Sequence, residues 1–343
     1  MRLRVGLFLS LLLISCGTTP TPPPAAGSLD IYFIDVEGGQ ATLIVSPEGE
    51  SMLVDTGWPG FEGRDAQRIA EAAKQAGMKQ IDYLVTTHYH TDHVGGVPQL
   101  AEQIPIIHFV DHGPNQEESE RAKKLYENYQ EVRKEGQHIA VEPGDHVPLK
   151  GVDVLVLTAA GKVINSPLEG AGAENPLCTS AQRREEDKSE NARSLGFLLT
   201  FGEFRFINLG DLTWNKELDL VCPDNRVGTV DVYLTSHHGL QSSGPAAIVH
   251  ALRPRVAIMN NGSKKGGIPE AWQIVKSSPG LEDLWQLHYA VKGREENNSP
   301  ERFLANLEDD HKGYWVKLSA RRDGSFTVLN GRNHFEKTYP ARE

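Results

Sequence analysis

The chain has 343 residues, 39% of them hydrophobic and 24% charged, with a formal net charge of −11. This composition excludes a fibrous, repeat or wholly disordered protein and leaves room for one large domain or two small ones. The acidic balance disfavours long-range attraction to nucleic acid or to an anionic membrane, without excluding a local basic pocket.

Arg2 and Arg4 precede an apolar stretch at 7–14 that is too short to span a bilayer as a helix. This is the pattern of a secretory signal. It ends in Leu13-Ile14-Ser15-Cys16, which resembles the lipobox of bacterial lipoproteins. The resemblance implies a signal peptide over 1–16, lipidation of Cys16, and an exported, membrane-anchored protein, periplasmic or on the cell surface. Residues 17–28 then read as a proline-rich tether. Loss of Arg2 and Arg4 would take the net charge to about −13. Cys178 and Cys222 remain, in a compartment where disulfides persist. Sequence alone leaves open whether they are bridged.

Residues 29–34 are a β-rich run, followed by a turn at 37–40. Strands at 41–45 and 52–54 flank a turn, and the second ends in Asp55-Thr56-Gly57. Residues 64–76 have helical spacing, with Ile69, Ala72, Ala73 and Ala76 on one stripe and Gly77 as the cap. A strand at 81–85 runs into His88-Tyr89-His90-Thr91-Asp92-His93. The pattern then predicts a helix at 94–102, a strand at 104–110 and a charged surface helix at 117–135. A short hairpin at 141–149 and a strand at 152–157 come next. Residues 159–190 form an irregular insertion, either functional or a plain surface excursion.

A hairpin of 195–201 and 204–209 ends in Gly210-Asp211. The strand at 230–234 ends in Ser236-His237-His238-Gly239. Helices at 245–252 and 269–276 enclose a strand at 256–259, and a hairpin of 314–320 and 326–328 closes the chain. His288, Asn297, Asn298 and His311 are polar candidates for a substrate rim, although surface loops explain them more simply. Strand runs separated by helices predict an α/β domain over 29–343, an αββα sandwich of two mixed β-sheets flanked by helices.

Three imidazoles and a carboxylate within six residues are costly to bury unless something binds them. They are the usual ligands of zinc and related divalent ions. Alternation along a strand lets His88 and His90 face one ion, and the following turn can aim Asp92 and His93 at a second. If the later strand continues through His237 and His238, the two point to opposite faces, and which one ligates stays open.

Asp55, the His88–His93 cluster, Asp211 and His237-His238 in this order resemble the metallo-β-lactamase superfamily. The resemblance implies that His88 and His90 hold one metal and Asp92 and His93 the other, with Asp211 bridging. It implies that His237 or His238 completes the second site and that Asp55 supports the metal loop from behind. Many members carry a further His about twenty residues before the bridging Asp; this chain has Asn191 there. An amide oxygen is a poorer zinc ligand, so the His88–His90 half is expected to bind more weakly. The Asn-x-x-Ser arrangement of Asn191 and Ser194 resembles the branch that includes ComEC competence proteins and phosphorylcholine esterases.

The resemblance further implies a two-metal hydrolase whose nucleophile is a water held between the ions, with Asp92, Asn191, His237 and His238 in the catalytic centre. Two divalent ions are expected, zinc first, with manganese or iron as alternatives. The expected substrate is a small phosphorylated molecule, chiefly a phosphodiester, or a nucleic-acid fragment. The membrane is met through Cys16, and no protein partner is expected. A lactonase or β-lactamase-type activity, or a non-catalytic metal-binding lipoprotein, is the alternative. Residues 260–267 (NNGSKKGG) follow a strand and precede a helix. Amides at a helix start favour anions, and Lys264 and Lys265 add charge, so this loop, with Ser194, is a candidate phosphate contact.

Overall fold

A computed structural model describes residues 27–307 and 312–342. The signal segment, Cys16, most of the tether and His311 lie outside the described residues.

Among the described residues, one nine-stranded sheet has the spatial order Glu336–Tyr339, Phe326–Asn330, Val316–Ala320, Leu29–Phe33, Thr42–Val45, Ser51–Val54, Ile81–Val85, Ile106–Asp111, Gln137–Ala140. An eight-stranded sheet has the order Leu304–Asn306, Asp283–His288, Val256–Met259, Val232–Leu234, Phe204–Asn208, Gly196–Phe201, Asp153–Ala159, Lys162–Val163. The central strands of the first sheet, Leu29–Phe33, Thr42–Val45 and Ser51–Val54, are buried on both faces because each face meets a different layer. Leu29, Ile31 and Phe33 join the core between the sheets, with Met52, Phe197, Phe206 and Trp285. Tyr32 points the other way, where Arg64–Gln75 lays down Ala66, Ile69, Ala72 and Ala73. On the far side, Leu220, Val221, Ile248, Val249 and Val275 of three helices cover Leu198, Ile207, Tyr233 and Ala257. This is the expected αββα sandwich. Each fully buried Leu, Ile or Phe contributes roughly 1.5–3 kcal/mol to it.

Several boundaries differ from expectation. The helix at 94–102 is two short pieces, Thr91–Val94 and Val97–Ala101. The break holds Gly95-Gly96 against the neighbouring loop: a Cβ on Gly96 would lie 2.2 Å from the Thr56 carbonyl oxygen. The charged helix is Glu120–Arg133, capped by Ser119, so Glu117 lies outside it. That helix is not wholly superficial, because Tyr129 is fully buried and its hydroxyl donates to Asp111 at 2.8 Å. The 141–149 hairpin is absent; Gln137–Ala140 forms the strand, while Val141, Val147 and Leu149 fill the core. Strands Asp283–His288, Leu304–Asn306 and Glu336–Tyr339 were not legible. The insertion is anchored: Ala173–Glu174 pairs with Asp224–Asn225, and Cys178 is bridged to Cys222.

Ser51–Val54 pairs in parallel with Ile81–Val85, and Phe204–Asn208, Val232–Leu234 and Val256–Met259 are likewise successive parallel neighbours. The loops beyond their carboxyl ends carry Asp55, the His88–His93 cluster, Asp211, His237-His238 and Asn260. Ligand sites gather at such strand ends because the outgoing loops are free of sheet pairing.

Candidate metal centre

Thr87 organises the first half of the site. Its amide donates to Asp55 Oδ1 at 2.8 Å and its hydroxyl to Asp55 Oδ2 at 2.7 Å. That hydroxyl has one hydrogen, already committed to the carboxylate, so toward His88 Nδ1, 3.1 Å away, it accepts. The His88 proton is therefore on Nδ1, and Nε2 carries a free lone pair. His90 donates from Nε2 to Glu117 Oε1 at 3.0 Å, which leaves its Nδ1 with a lone pair. His88 Nε2 and His90 Nδ1 face each other at 3.1 Å. Two lone pairs at that separation repel unless a cation lies against both, and this is the test a metal site has to pass.

His90 is also the N-cap of the turn Thr91–Val94, and its carbonyl accepts from the amides of His93 and Val94. The turn carries Asp92 and His93 to the other side of the cluster. His93 donates from Nδ1 to Asp55 Oδ2 at 2.7 Å, and its Nε2 lies 3.3 Å from Asp92, 3.2 Å from Asp211 and 3.3 Å from His238 Nε2. Asp92, His93, Asp211 and His238 place one ligand atom each within 4.8 Å of one another, and all four are buried.

Asp211 reaches across both halves. Its Oδ2 is 3.9 Å from His88 Nε2 and 3.3 Å from His237 Nε2, and its Oδ1 is 3.4 Å from His238 Nε2. The strand alternation expected for His237 and His238 does not occur. Both lie in the turn Ser236–Gly239 with left-handed backbone, φ 52° and 55°, so both rings project toward Asp211. His237 N donates to the Gly210 carbonyl at 3.0 Å and ties this turn to the Asp211 loop. Ser242 and Ser243 hold His237 Nδ1 at 2.9 and 3.2 Å.

The electrostatics are those of a cation site. Burial pushes His88 well below the ordinary imidazole range, and His93 beside it adds to the shift. Burial also opposes charge on His93, but Asp211, Asp55 and Asp92 outweigh it and hold His93 well above that range. A proton there stands in for positive charge that an ion would bring. Burial pushes Asp92 and Asp211 upward, yet the surrounding imidazoles hold both well below the carboxylate range, with Lys265 helping at Asp92. His237 is pushed down to about 4, chiefly by burial.

Asn191 lies in the turn Glu190–Arg193, and its side-chain Oδ1 is buried without a hydrogen-bond partner among the described residues. Ser194 Oγ is buried 3.5 Å from His88 Nδ1. In the 260–267 loop Gly262 N donates to Lys265 O, while Gly267 N and Ile268 N donate to His238 O and Gly239 O and so hold the His238 turn rather than facing an anion. A Cβ on Gly266 would sit 2.1 Å from the His238 carbonyl oxygen, which requires glycine at that contact. Lys265 Nζ bonds to Asp92 and lies 5.0 Å from the centre of the Trp58 ring.

A cavity of about 440 Å³ beside the cluster is lined by Trp58, His90, Asp92, Glu117, Arg121 and Lys265, among others. His288 and Asn298 are not surface-loop residues: both are buried, His288 against Asp35 and Asn298 against the 290–294 backbone. Glu117 and Arg121 went unrecognised in the sequence, where they sit in an undistinguished charged run.

The profile of the family described as the Metallo-beta-lactamase superfamily matches residues 34–173. A hydroxyacylglutathione hydrolase of Xanthomonas campestris pv. campestris is 30% identical over 118 residues, 34% of this chain and 36% of the relative. ComE operon protein 3 of Bacillus subtilis is 25% identical over 249 residues, 68% of this chain and 28% of the relative. A UPF0173 metal-dependent hydrolase of Cupriavidus necator is 29% identical over 120 residues, 29% of this chain and 36% of the relative. The chain thus spans about a third of the length of the curated relatives it matches. Among solved structures, the metallo-beta-lactamase fold protein YhfI of Bacillus subtilis is similar over 76% of this chain and 96% of its own, with TM-score 0.47 and 11% identity.

Proposed function

The chain carries a metallo-beta-lactamase domain with the donor set of a metal-dependent hydrolase, and from that premise we propose that it hydrolyses phosphodiesters or related phosphorylated molecules. The observation that carries this reading is the pairing of the buried donor cluster with two cationic side chains, Lys265 and Arg121, on the adjoining cavity wall.

The donor set fits two metal ions. His88, His90 and Asp211 would hold one; Asp92, His93, His238 and Asp211 would hold the other. Bound there, divalent ions would lower the pKa of a water and offset the charge that develops on a phosphoryl group. The protein's own part is orientation. Asp55 sets the ring of His93, Thr87 that of His88, and Ser242 and Ser243 that of His237. His237 Nε2, 3.3 Å from Asp211, would give a hydrogen bond to substrate. Lys265 and Arg121 would draw an anionic substrate to the cluster, and the Trp58 ring offers a flat apolar wall. The bridged Cys178–Cys222 pair supports the exported location proposed from the first sixteen residues.

A second reading, hydrolysis of an acyl ester or thioester, is favoured by the 30% identity to the hydroxyacylglutathione hydrolase. The deciding experiment supplies zinc or manganese and screens bis(4-nitrophenyl) phosphate, 4-nitrophenyl-phosphorylcholine, single-stranded DNA, a lactone, a thioester and nitrocefin. Phosphodiester turnover that EDTA abolishes and His90→Ala removes is expected. Turnover that survives both treatments overturns the proposal, and turnover of the thioester alone favours the second reading.

A further inference from the structure

Two histidines of the cluster carry a carboxylate on the ring nitrogen that faces away from the other ligands. For His93 it is Asp55, and both side chains are fully buried. For His90 it is Glu117, at 3.0 Å, with the two side chains 30% and 27% exposed. A hydrogen-bonded carboxylate fixes the tautomer and rotation of an imidazole and raises its basicity as a ligand. Here it directs the His90 lone pair from Nδ1 toward His88 Nε2.

Glu117 is itself built into place. Its amide donates to Asn115 Oδ1 at 3.0 Å, and Asn115 Nδ2 donates back to its carbonyl at 3.1 Å. The Oε1 atom that meets His90 also accepts from the amide of Glu190 at 3.1 Å. Glu190 is buried, and its carboxylate is gripped by His112 at 3.0 Å, by the Gln116 amide at 2.9 Å and by Arg193 at 3.2 Å. The residue that follows, Asn191, is the one that stands where an additional imidazole was expected. The half of the centre that lacks that imidazole thus also has a carboxylate brace, and this one is tied to the very turn where the substitution sits.

We propose that Glu117 is the positioning residue of the His88–His90 half-site, required for that half to retain its ion. The inference rests on the two-metal reading above. The brace is partly open to the cavity while the Asp55–His93 pair is sealed, so the His88–His90 ion is the one that exchanges.

The test uses the full chain, loaded with Zn²⁺ or Co²⁺ and dialysed against a weak chelator. Ions per chain are counted by elemental analysis, and the Co²⁺ ligand-field absorption is recorded. Wild type is expected to keep two ions. Glu117→Ala should keep one, with affinity for the second lowered about 10–100-fold and half the cobalt spectrum lost. Glu117→Gln keeps a hydrogen-bond acceptor without the charge and should fall between; Glu117→Asp should restore part of the binding. The Glu117→Gln and Glu117→Asp variants also cover the case in which Glu117→Ala fails to fold. Two ions with unchanged affinity and spectrum in Glu117→Ala or Glu117→Gln overturn the role of Glu117 alone. Fewer than two ions in wild type overturn the two-metal reading and this assignment with it.

Discussion

Asp55 Oδ2 lies 2.7 Å from His93 Nδ1, and both side chains are fully sealed from solvent. The same carboxylate takes the amide and hydroxyl of Thr87, so one residue governs the rings of His93 and, through Thr87, of His88. Asp55→Asn keeps the size and removes the charge. Metal affinity is expected to fall about 10–100-fold, as for other carboxylates behind ligating histidines. Competition against a chromophoric chelator measures it, and unchanged affinity would reduce Asp55 to a turn residue.

Lys265 bonds to Asp92 and lies along the Trp58 ring at the cavity wall. Lys265→Ala is expected to raise KM for a phosphodiester about tenfold, which corresponds to about 1.4 kcal/mol. Ion content should stay at the wild-type value. A fall in kcat with KM unchanged would place Lys265 outside substrate binding.

Glu217 is fully buried on the helix Trp214–Val221, where Gly244 N donates to one of its oxygens. Burial pushes its carboxyl up to about 8. The fold thus favours the protonated form. That contribution to stability is complete below the unfolded value of about 4.3 and is lost as pH rises through about 8. Glu217→Gln imitates the protonated state. It should match wild type near pH 5 and exceed it by a few kcal/mol near pH 9 in denaturant unfolding. Parallel stability curves for the two proteins would count against the buried, protonated carboxyl.

The bridge between Cys178 and Cys222 spans 44 residues and joins the insertion to the end of the helix Trp214–Val221. Cross-linking a loop of that length stabilises by about 4 kcal/mol in the chain-entropy account. The double Cys→Ser variant should lose stability on that scale while keeping its ions, because the bridge does not touch the metal loop. Metal loss at full stability would reverse that picture.

The site was legible where chemistry is local. His88, His90, Asp92 and His93 sit within six residues, and strand and turn geometry alone put them near one another. The strand rule then failed at His237 and His238, because two consecutive left-handed residues replace the pleat and turn both rings inward. Glu117 was unreadable in a charged run, since its meaning comes from His90, 27 residues away, and from the Glu190 amide, 73 residues away. His288 read as a loop residue for the same reason: its partner Asp35 is 253 residues distant.

Residue type and short-range spacing determined the sandwich, the strand ends that carry the candidate donors, and the residue types found there. Hydrophobic periodicity and metal-donor chemistry act over a few residues, and a sequence displays both directly. The tertiary structure alone decided that Cys178 meets Cys222, that both His237 and His238 face Asp211, and that Glu117 stands behind His90. Those pairings depend on how two sheets bring distant loops to one edge, and no local pattern encodes which loop arrives opposite which.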